Sequence, residues 1–295
     1  MKDPPQIAIV ILNWNNGPDV IECVESLRKS TYVNYRIYIA DNGSSDNSVD
    51  DIQNAYPDIP LILNRKNKGF AGGNNPGIEH ALEHGADFVL LLNNDTTVAP
   101  DFLGHVVCVA ESDPATGIVS PKIYYYSEPG RLWFAGGVID LWKGHTRHLG
   151  DLEVDQGQYD HVADVDFVSG CAMLIKRKVI EDIGMLYEPM FLYYEDSDFC
   201  ARARHAGYRI VMAPEAKIWH KVSSTTGKIK DLQWFYGTRN MLIFEKRNAS
   251  PLQLAFFLPY YAAKFVLYNA LSAALSGDLK KSRLILKAAV EGLLT

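Results

Sequence analysis

The chain has 295 residues, of which 47% are apolar, 22% charged and 11% aromatic, and this globular balance excludes a disordered chain or a fibrous repeat. Its length allows one large α/β domain, with or without an appendage, to bury a sizeable core without disulfide or metal staples. The 29 basic and 35 acidic residues give a net charge of −6, and the first three quarters hold no Lys/Arg cluster interleaved with aromatics, so a nucleic-acid footprint is excluded.

From residue 7 to 94, apolar runs alternate with helix-like segments. Strands are expected at 7–12, 35–40, 61–63 and 88–92, and helices at 19–29, 47–56 and 70–83. That alternation predicts a parallel sheet buried on both faces, which explains why the first and fourth runs are apolar throughout. Ligands of such sheets bind beyond the carboxyl ends of the strands. Each end is polar: Asn13-Trp14-Asn15-Asn16, Asp41 through Asp46, Asn64, and Asn93-Asn94-Asp95.

A dinucleotide fingerprint would require Gly-x-Gly-x-x-Gly after the first strand, and none is present. The glycines cluster after the third strand instead, at Gly69, Gly72, Gly73 and Gly77, where bare backbone can approach a ligand and a helix N-terminus can face an anion. Residues 117–176 carry glycines between short aromatic runs and predict hairpins with a mobile loop. Charge returns at Glu195-Asp196-Ser197-Asp198, which opens a helix ending near Gly207. Acidic residues are favoured there by the helix dipole alone, and Asp198 has an ordinary i,i+4 partner in Arg202.

In this order, the motifs Ile11-Leu12-Asn13-Trp14-Asn15, Asp41 to Asp46, Asn67-Lys68-Gly69-Phe70 through Asn74, Leu92 to Asp95, Phe167 to Cys171, Tyr194 to Asp198 and Trp219-His220 resemble family 2 glycosyltransferases of the GT-A fold. The likeness covers about the first 250 residues and is strongest for the branch that includes rhamnosyltransferases. It implies an α/β fold with a mostly parallel sheet over residues 1–228, and a helical region at 229–295.

The resemblance implies that Trp14 lies against a nucleobase and that Asp41 accepts its ring N–H, which suits uracil or thymine and hence a UDP- or dTDP-sugar. Asn13, Asn67, Gly69, Phe70, Asn74, Asn93 and Asn94 would complete the donor site, with Arg239 as a forked cation for the phosphates. A divalent cation, Mn²⁺ or Mg²⁺, would neutralise the diphosphate. Where the family has Asp-x-Asp, this chain has Asn93-Asn94-Asp95, which leaves Asp95 as the anionic ligand and predicts weaker affinity. His220 occupies the place of the family's histidine ligand, and imidazole favours Mn²⁺.

By the same resemblance Asp196 is the base of an inverting transfer to a hydroxyl of a glycan or lipid-linked acceptor. Tyr194, Glu195 and Asp198 would bind that acceptor. Two other readings stay open: a sugar nucleotidyltransferase, which the absence of a Gly-rich basic loop after the first strand disfavours, and a non-catalytic binding module, which Asn93 makes conceivable.

Residues 252–276 hold one charge, Lys264, and cations follow at Lys280, Lys281, Arg283 and Lys287. Residues 229–295 contain nine Lys/Arg against four Asp/Glu. Pro259, Lys264 and Asn269 interrupt the apolar run, so helices lying on an anionic membrane surface over 252–287 are expected, with packing in a dimer or as a core helix, or a bilayer span, as the alternatives. Cys23, Cys108, Cys171 and Cys200 show no pairing or ligand spacing, and the start of the chain lacks the layout of a signal peptide. Together these predict a cytoplasmic location, peripheral on the inner face of the membrane.

Overall fold

A computed structural model describes residues 3–222 and 230–295. Four parallel strands form the first half of the sheet: β1 (Ile7–Asn13), β2 (Tyr35–Asp41), β3 (Leu61–Leu63) and β4 (Phe88–Asn93), in the order β3-β2-β1-β4. Between them run α1 (Gly17–Leu27), α2 (Ser48–Ala55) and α3 (Gly69–Glu83). Ile7, Ile9, Val10 and Ile11 are fully buried because β1 is central and covered on both faces. Each such side chain contributes about 1.5–3 kcal/mol. Gly77 lets α3 lie close on β1, since a Cβ there would meet a Val10 methyl at 2.5 Å.

The second half of the sheet is mixed. β6 (Thr116–Tyr125), β11 (Ala172–Lys176) and β12 (Arg209–His220) extend it beyond β4, with β11 antiparallel to both β4 and β6, and β12 parallel to β6. The short strands β5 (Thr96–Val98), β7 (Glu128–Phe134) and β10 (Ala163–Asp164) join its edges, while β8 (Gly137–Asp140) and β9 (His145–His148) form a separate hairpin. The helices α4 (Phe102–Ser112), α5 (Arg177–Ile183) and α6 (Glu195–His205) complete the body.

Over 117–176 the expected hairpins are present as β6–β7 and β8–β9, with β6 also a buried strand of the main sheet. The loop after β9, expected to be mobile, is pinned. The ammonium of Lys122, fully buried, donates to Asp155 at 3.0 Å and also to Asp160, and the Tyr124 hydroxyl donates to Asp155. Breaking such a buried pair is costly because it strands a charge.

The C-terminal helices are α7 (Lys230–Asn248), α8 (Pro251–Tyr260), a π-helical stretch Tyr261–Tyr268, α9 (Asn269–Leu275) and α10 (Leu279–Leu294). The expected boundary at 228 lies outside the described residues. α7 is tied to the body: Asn240, Arg247 and Asn248 all bond to α6 or to the segment leading into it. Pro251–Leu275 is one continuous helical run, long and apolar enough to cross a membrane by length and composition, where the sequence alone reads an interrupted segment. One face of it packs on α7 through Phe257 and Tyr261, and the Tyr261 hydroxyl donates to the Thr238 carbonyl.

Candidate active site

Parallel register places the polar strand ends side by side. Asn13 is paired with Asp41, and Leu12 with Asn93, so the four polar turns share one edge of the sheet. The turns are tied to one another. Asn15 adopts φ 53°, which asparagine tolerates well, and its side-chain oxygen accepts from the Ser45 N–H at 2.7 Å. Asn42, buried, donates to Asn67 and to the Gly69 carbonyl, and accepts from the Lys68 N–H.

Above this floor lies a cleft of about 370 Å³ whose walls include Trp14, Asn67, Gly69, Phe70, Asn93, Asn94, Asp95 and His220. Antiparallel pairing of β5 with β12 sets Thr96 opposite His220, and the Lys221 N–H donates to the Asp95 carbonyl. The Asp95 Oδ1 and His220 Nε2 atoms are consequently 3.1 Å apart, with both side chains nearly buried. Trp133 covers the imidazole edge-on at 4.6 Å. On the opposite wall Tyr236 stacks on Phe191 at 4.9 Å.

Gly69 has a reason beyond ligand approach. Its φ is +73°, and a Cβ would fall 2.1 Å from the Phe191 carbonyl oxygen, which accepts from the Phe70 N–H at 2.6 Å. The glycine thus allows the 191–194 segment to close over the cleft. Phe191, Tyr193 and Tyr194 all have φ between 63° and 71°, a run of left-handed backbone that costs about 1–3 kcal/mol per residue. One buried amide holds it: Asn240 Nδ2 contacts the carbonyls of Met190, Leu192 and Tyr193 at 2.6–2.9 Å.

Tyr193 is shared with a second cavity of about 350 Å³ lined by Thr146, His148, Tyr194, Glu195, Asp196 and Gln233 among others. The Asp196 carboxylate accepts from the Gly170 N–H at 3.0 Å and from the Ser197 N–H at 2.6 Å, and these bonds fix its orientation. Glu195 beside it is buried, with Oε2 unpartnered. Burial, reinforced by Asp196, raises its pKa well above the ordinary carboxyl value. Burial also lowers the His148 pKa, which keeps that imidazole neutral at pH 7.

Four sequence assignments are corrected. Asp198 faces away from the cavity, fully buried, and pairs with Arg202 at 2.9 Å and Arg247 at 2.8 Å while accepting from Asn248. Burial pushes its pKa up, but Arg247, Asn248 and Arg202 outweigh this and hold it below the usual range. Arg239 lies over Tyr236 at 5.0 Å and donates to the Pro189 carbonyl, supporting the cleft wall instead of facing the cleft. Asn74 is buried within α3 and donates to the Phe70 carbonyl. Asp41 is buried and its carboxylate accepts from Asn13, Ser44 and the N–H groups of Gly43 and Ser44, so it braces the turn after β2. Asn13 acts with it from below.

Sequence reading missed Trp133, His148 and Asn240 as site residues. The first two lie in the glycine-punctuated segment with no motif spacing, and Asn240 is a lone polar residue in an otherwise ordinary helix. A separate cluster of His80, Glu83 and His84 sits at the far end of α3, about 20 Å along the helix from Gly69.

A cleft at the carboxyl edge of this sheet, with a carboxylate and imidazole on one wall and an acidic cavity beyond, defines the class of protein with the fold. The glycosyl transfer family 2 profile (Glycosyl transferase family 2) matches residues 8–184, more than half the chain, and the chain belongs to that family. The fold is GT-A. The structure is similar to a mannosyltransferase from Pyrobaculum calidifontis in complex with GDP-Man and Mn²⁺, with TM-score 0.60 and 17% identity over 99% of this chain and 88% of that one. Among curated proteins it is 25% identical to the dTDP-rhamnosyl transferase RfbF of Shigella flexneri over 67% of this chain and 66% of RfbF. It is 23% identical to an N-acetylglucosaminyl-diphospho-decaprenol L-rhamnosyltransferase of Mycobacterium tuberculosis, over 75% of this chain and 78% of that protein. The chain spans only 26% of another relative, the Sinorhizobium fredii protein y4gI.

Proposed function

We propose that the chain is an inverting glycosyltransferase that moves a sugar, rhamnose first among candidates, from a dTDP- or UDP-sugar to a hydroxyl of a glycan or lipid-linked acceptor. The observation that carries this reading is the shared wall at Tyr193, which sets the Asp95–His220 pair in one cavity and the oriented Asp196 carboxylate in the next. The rhamnosyl preference is supported by the names of two relatives.

In this reading Trp14 stacks on the base and the Asn67 to Phe70 segment lines the ribose and phosphates. Asp196 takes the proton from the acceptor hydroxyl as that oxygen bonds to the anomeric carbon. The bond from the anomeric carbon to the diphosphate oxygen breaks on the opposite face, and its electron pair leaves with the nucleoside diphosphate. Glu195, beside Asp196 in the same cavity, contacts the acceptor.

Asp95 and His220 suit a divalent cation, since a carboxylate oxygen and an imidazole nitrogen converge at the cleft wall and the buried Nδ1 of His220 has no hydrogen-bond partner to divert the ring. Such a cation, Mn²⁺ on softness grounds, would neutralise charge on the departing diphosphate. Remaining coordination would come from the phosphates themselves. The tail is read as lying on an anionic membrane at the cytoplasmic face, with a second copy of the chain as the alternative cover.

Release of nucleoside diphosphate from a panel of dTDP- and UDP-sugars tests the base. Asp196→Asn should lower turnover by ~10²–10⁴ while donor binding persists. Unchanged turnover would remove Asp196 from that role, and absence of turnover in the parent chain with intact donor binding would favour a non-catalytic binding module.

A further inference from the structure

The β8–β9 hairpin joins two parts of the molecule that the transfer reaction alone does not connect. Thr146 and His148 line the cavity of Asp196, whereas the tip exposes Trp142 and Lys143. Trp142 meets Phe256 of α8 edge-on at 5.4 Å, and the His145 ring meets Phe265 at 5.3 Å. Gly144, with φ +68°, has no room for a side chain, because a Cβ would lie 2.6 Å from the Phe257 ring. Its carbonyl accepts the Tyr194 hydroxyl at 3.0 Å, next to Glu195. One hairpin therefore spans from the tail to the catalytic helix.

The face to which the tip belongs is apolar and open. Trp142 is 46% exposed, Phe256 60%, Leu271 61% and Leu275 89%, and little of the most apolar stretch of Pro251–Leu275 is covered. Exposed cations lie on the tip and the C-terminal helices at Lys143, Lys264 and Arg283, with Lys280 paired to Asp231 and Lys287 to Glu291, and residues 229–295 carry nine Lys/Arg against four Asp/Glu. We infer that Trp142 and the exposed face of Pro251–Leu275 form one lipid-contacting surface, occupied by an anionic bilayer, and that this seats the acceptor cavity beside the headgroups.

Charge decides between a bilayer and a second copy. A two-fold pairing sets the same patch against itself, so Lys143, Lys264, Arg283 and the net positive tail would meet their own like charges. An anionic lipid surface complements that positive charge, and Trp and Tyr favour the interface between headgroup and hydrocarbon. From His145 to His148 the extended strand covers about 10 Å, which sets the cavity about that far from the tip. The acceptor class that fits is thus an amphipathic molecule whose hydroxyl is displayed from the membrane. This deepens, and rests on, the reading of the Asp196 cavity as the acceptor site.

The test uses the full chain with vesicles of phosphatidylcholine brominated on the acyl chains, with or without phosphatidylglycerol. Binding to the anionic vesicles should be ~10-fold tighter or more, and bromine should quench tryptophan emission. Trp142→Phe should still sediment with anionic vesicles but lose a resolvable share of that quenching. Quenching equal to wild type would place the tip away from lipid. Vesicle-independent dimerisation seen by light scattering would make a second copy the occupant, and either result overturns the inference. No sugar is present, so failure here leaves the transfer reading to be judged by Asp196→Asn.

Discussion

The floor beneath the Asp95–His220 cleft and the wall of the Asp196 cavity handle buried polar groups differently. At the floor, Asp41, Asn42 and Asn15 bond to neighbouring turns, and the Asp41 carboxylate has no oxygen left over. Beyond Tyr193, Glu195 Oε2 and, on α7, both oxygens of Glu245 are buried with no hydrogen-bond partner, whereas at the floor Asn13 Oδ1 is the buried turn atom left in that state among the described residues. A buried polar group without a partner costs about 1–3 kcal/mol. The first region is a scaffold that shapes a ligand site through backbone, while the second keeps polar groups in reserve at the cost of stability.

Substitutions can break this contrast at several strengths. The largest stability loss is expected from Asp198→Ala, which leaves Arg202 and Arg247 unpaired beside a buried gap and should cost about 3–5 kcal/mol in urea unfolding. A loss under 1 kcal/mol would mean that α7 is not anchored through this pair. Asn240→Ala should cost about 1–3 kcal/mol by freeing three carbonyls of the strained 190–193 segment. It should also weaken donor binding, because Phe191 loses its support. Asn42→Ala, its counterpart at the floor, should cost a similar amount but leave the acceptor side unchanged; equal effects on both sides would erase the distinction.

The smallest effect concerns protonation. Burial, helped by Asp140, pushes Glu245 up to about 8 from an ordinary 4.5. The folded protein then keeps a proton that the unfolded chain releases, so this contribution is present below pH 4.5 and is lost as pH rises through about 8. The slope for one proton is at most about 1.4 kcal/mol per pH unit. Glu245→Gln should flatten stability over that interval, and an unchanged slope would assign it to other groups, Glu195 first.

The donor half was readable in the sequence because its strands are contiguous and parallel, which brings every post-strand turn to one edge without knowledge of distant pairing. The acceptor half was not, because antiparallel strands β11 and β5, the hairpin and α7 assemble it from residues far apart in the chain. Asp196 was visible through its motif, but Asp198, just over half a turn further along the same helix, takes its role from Arg247 on α7. Arg239 went astray for a related reason, since a cation near a phosphate motif gives no sign of the Pro189 carbonyl that holds it. Trp133 and His148 had no pattern to mark them, although their aromatic packing against His220 and Phe167 is clear in the structure.

The central claim is that Asp95 and His220 face the donor diphosphate on one side of Tyr193 while Asp196 faces the acceptor on the other. Calorimetry of UDP or dTDP, with and without Mn²⁺, on the parent chain, Asp95→Ala and Asp196→Asn tests it most directly. Nucleotide binding should strengthen with Mn²⁺ in the parent and in Asp196→Asn, and that coupling should vanish in Asp95→Ala. Coupling that survives in Asp95→Ala would contradict the account.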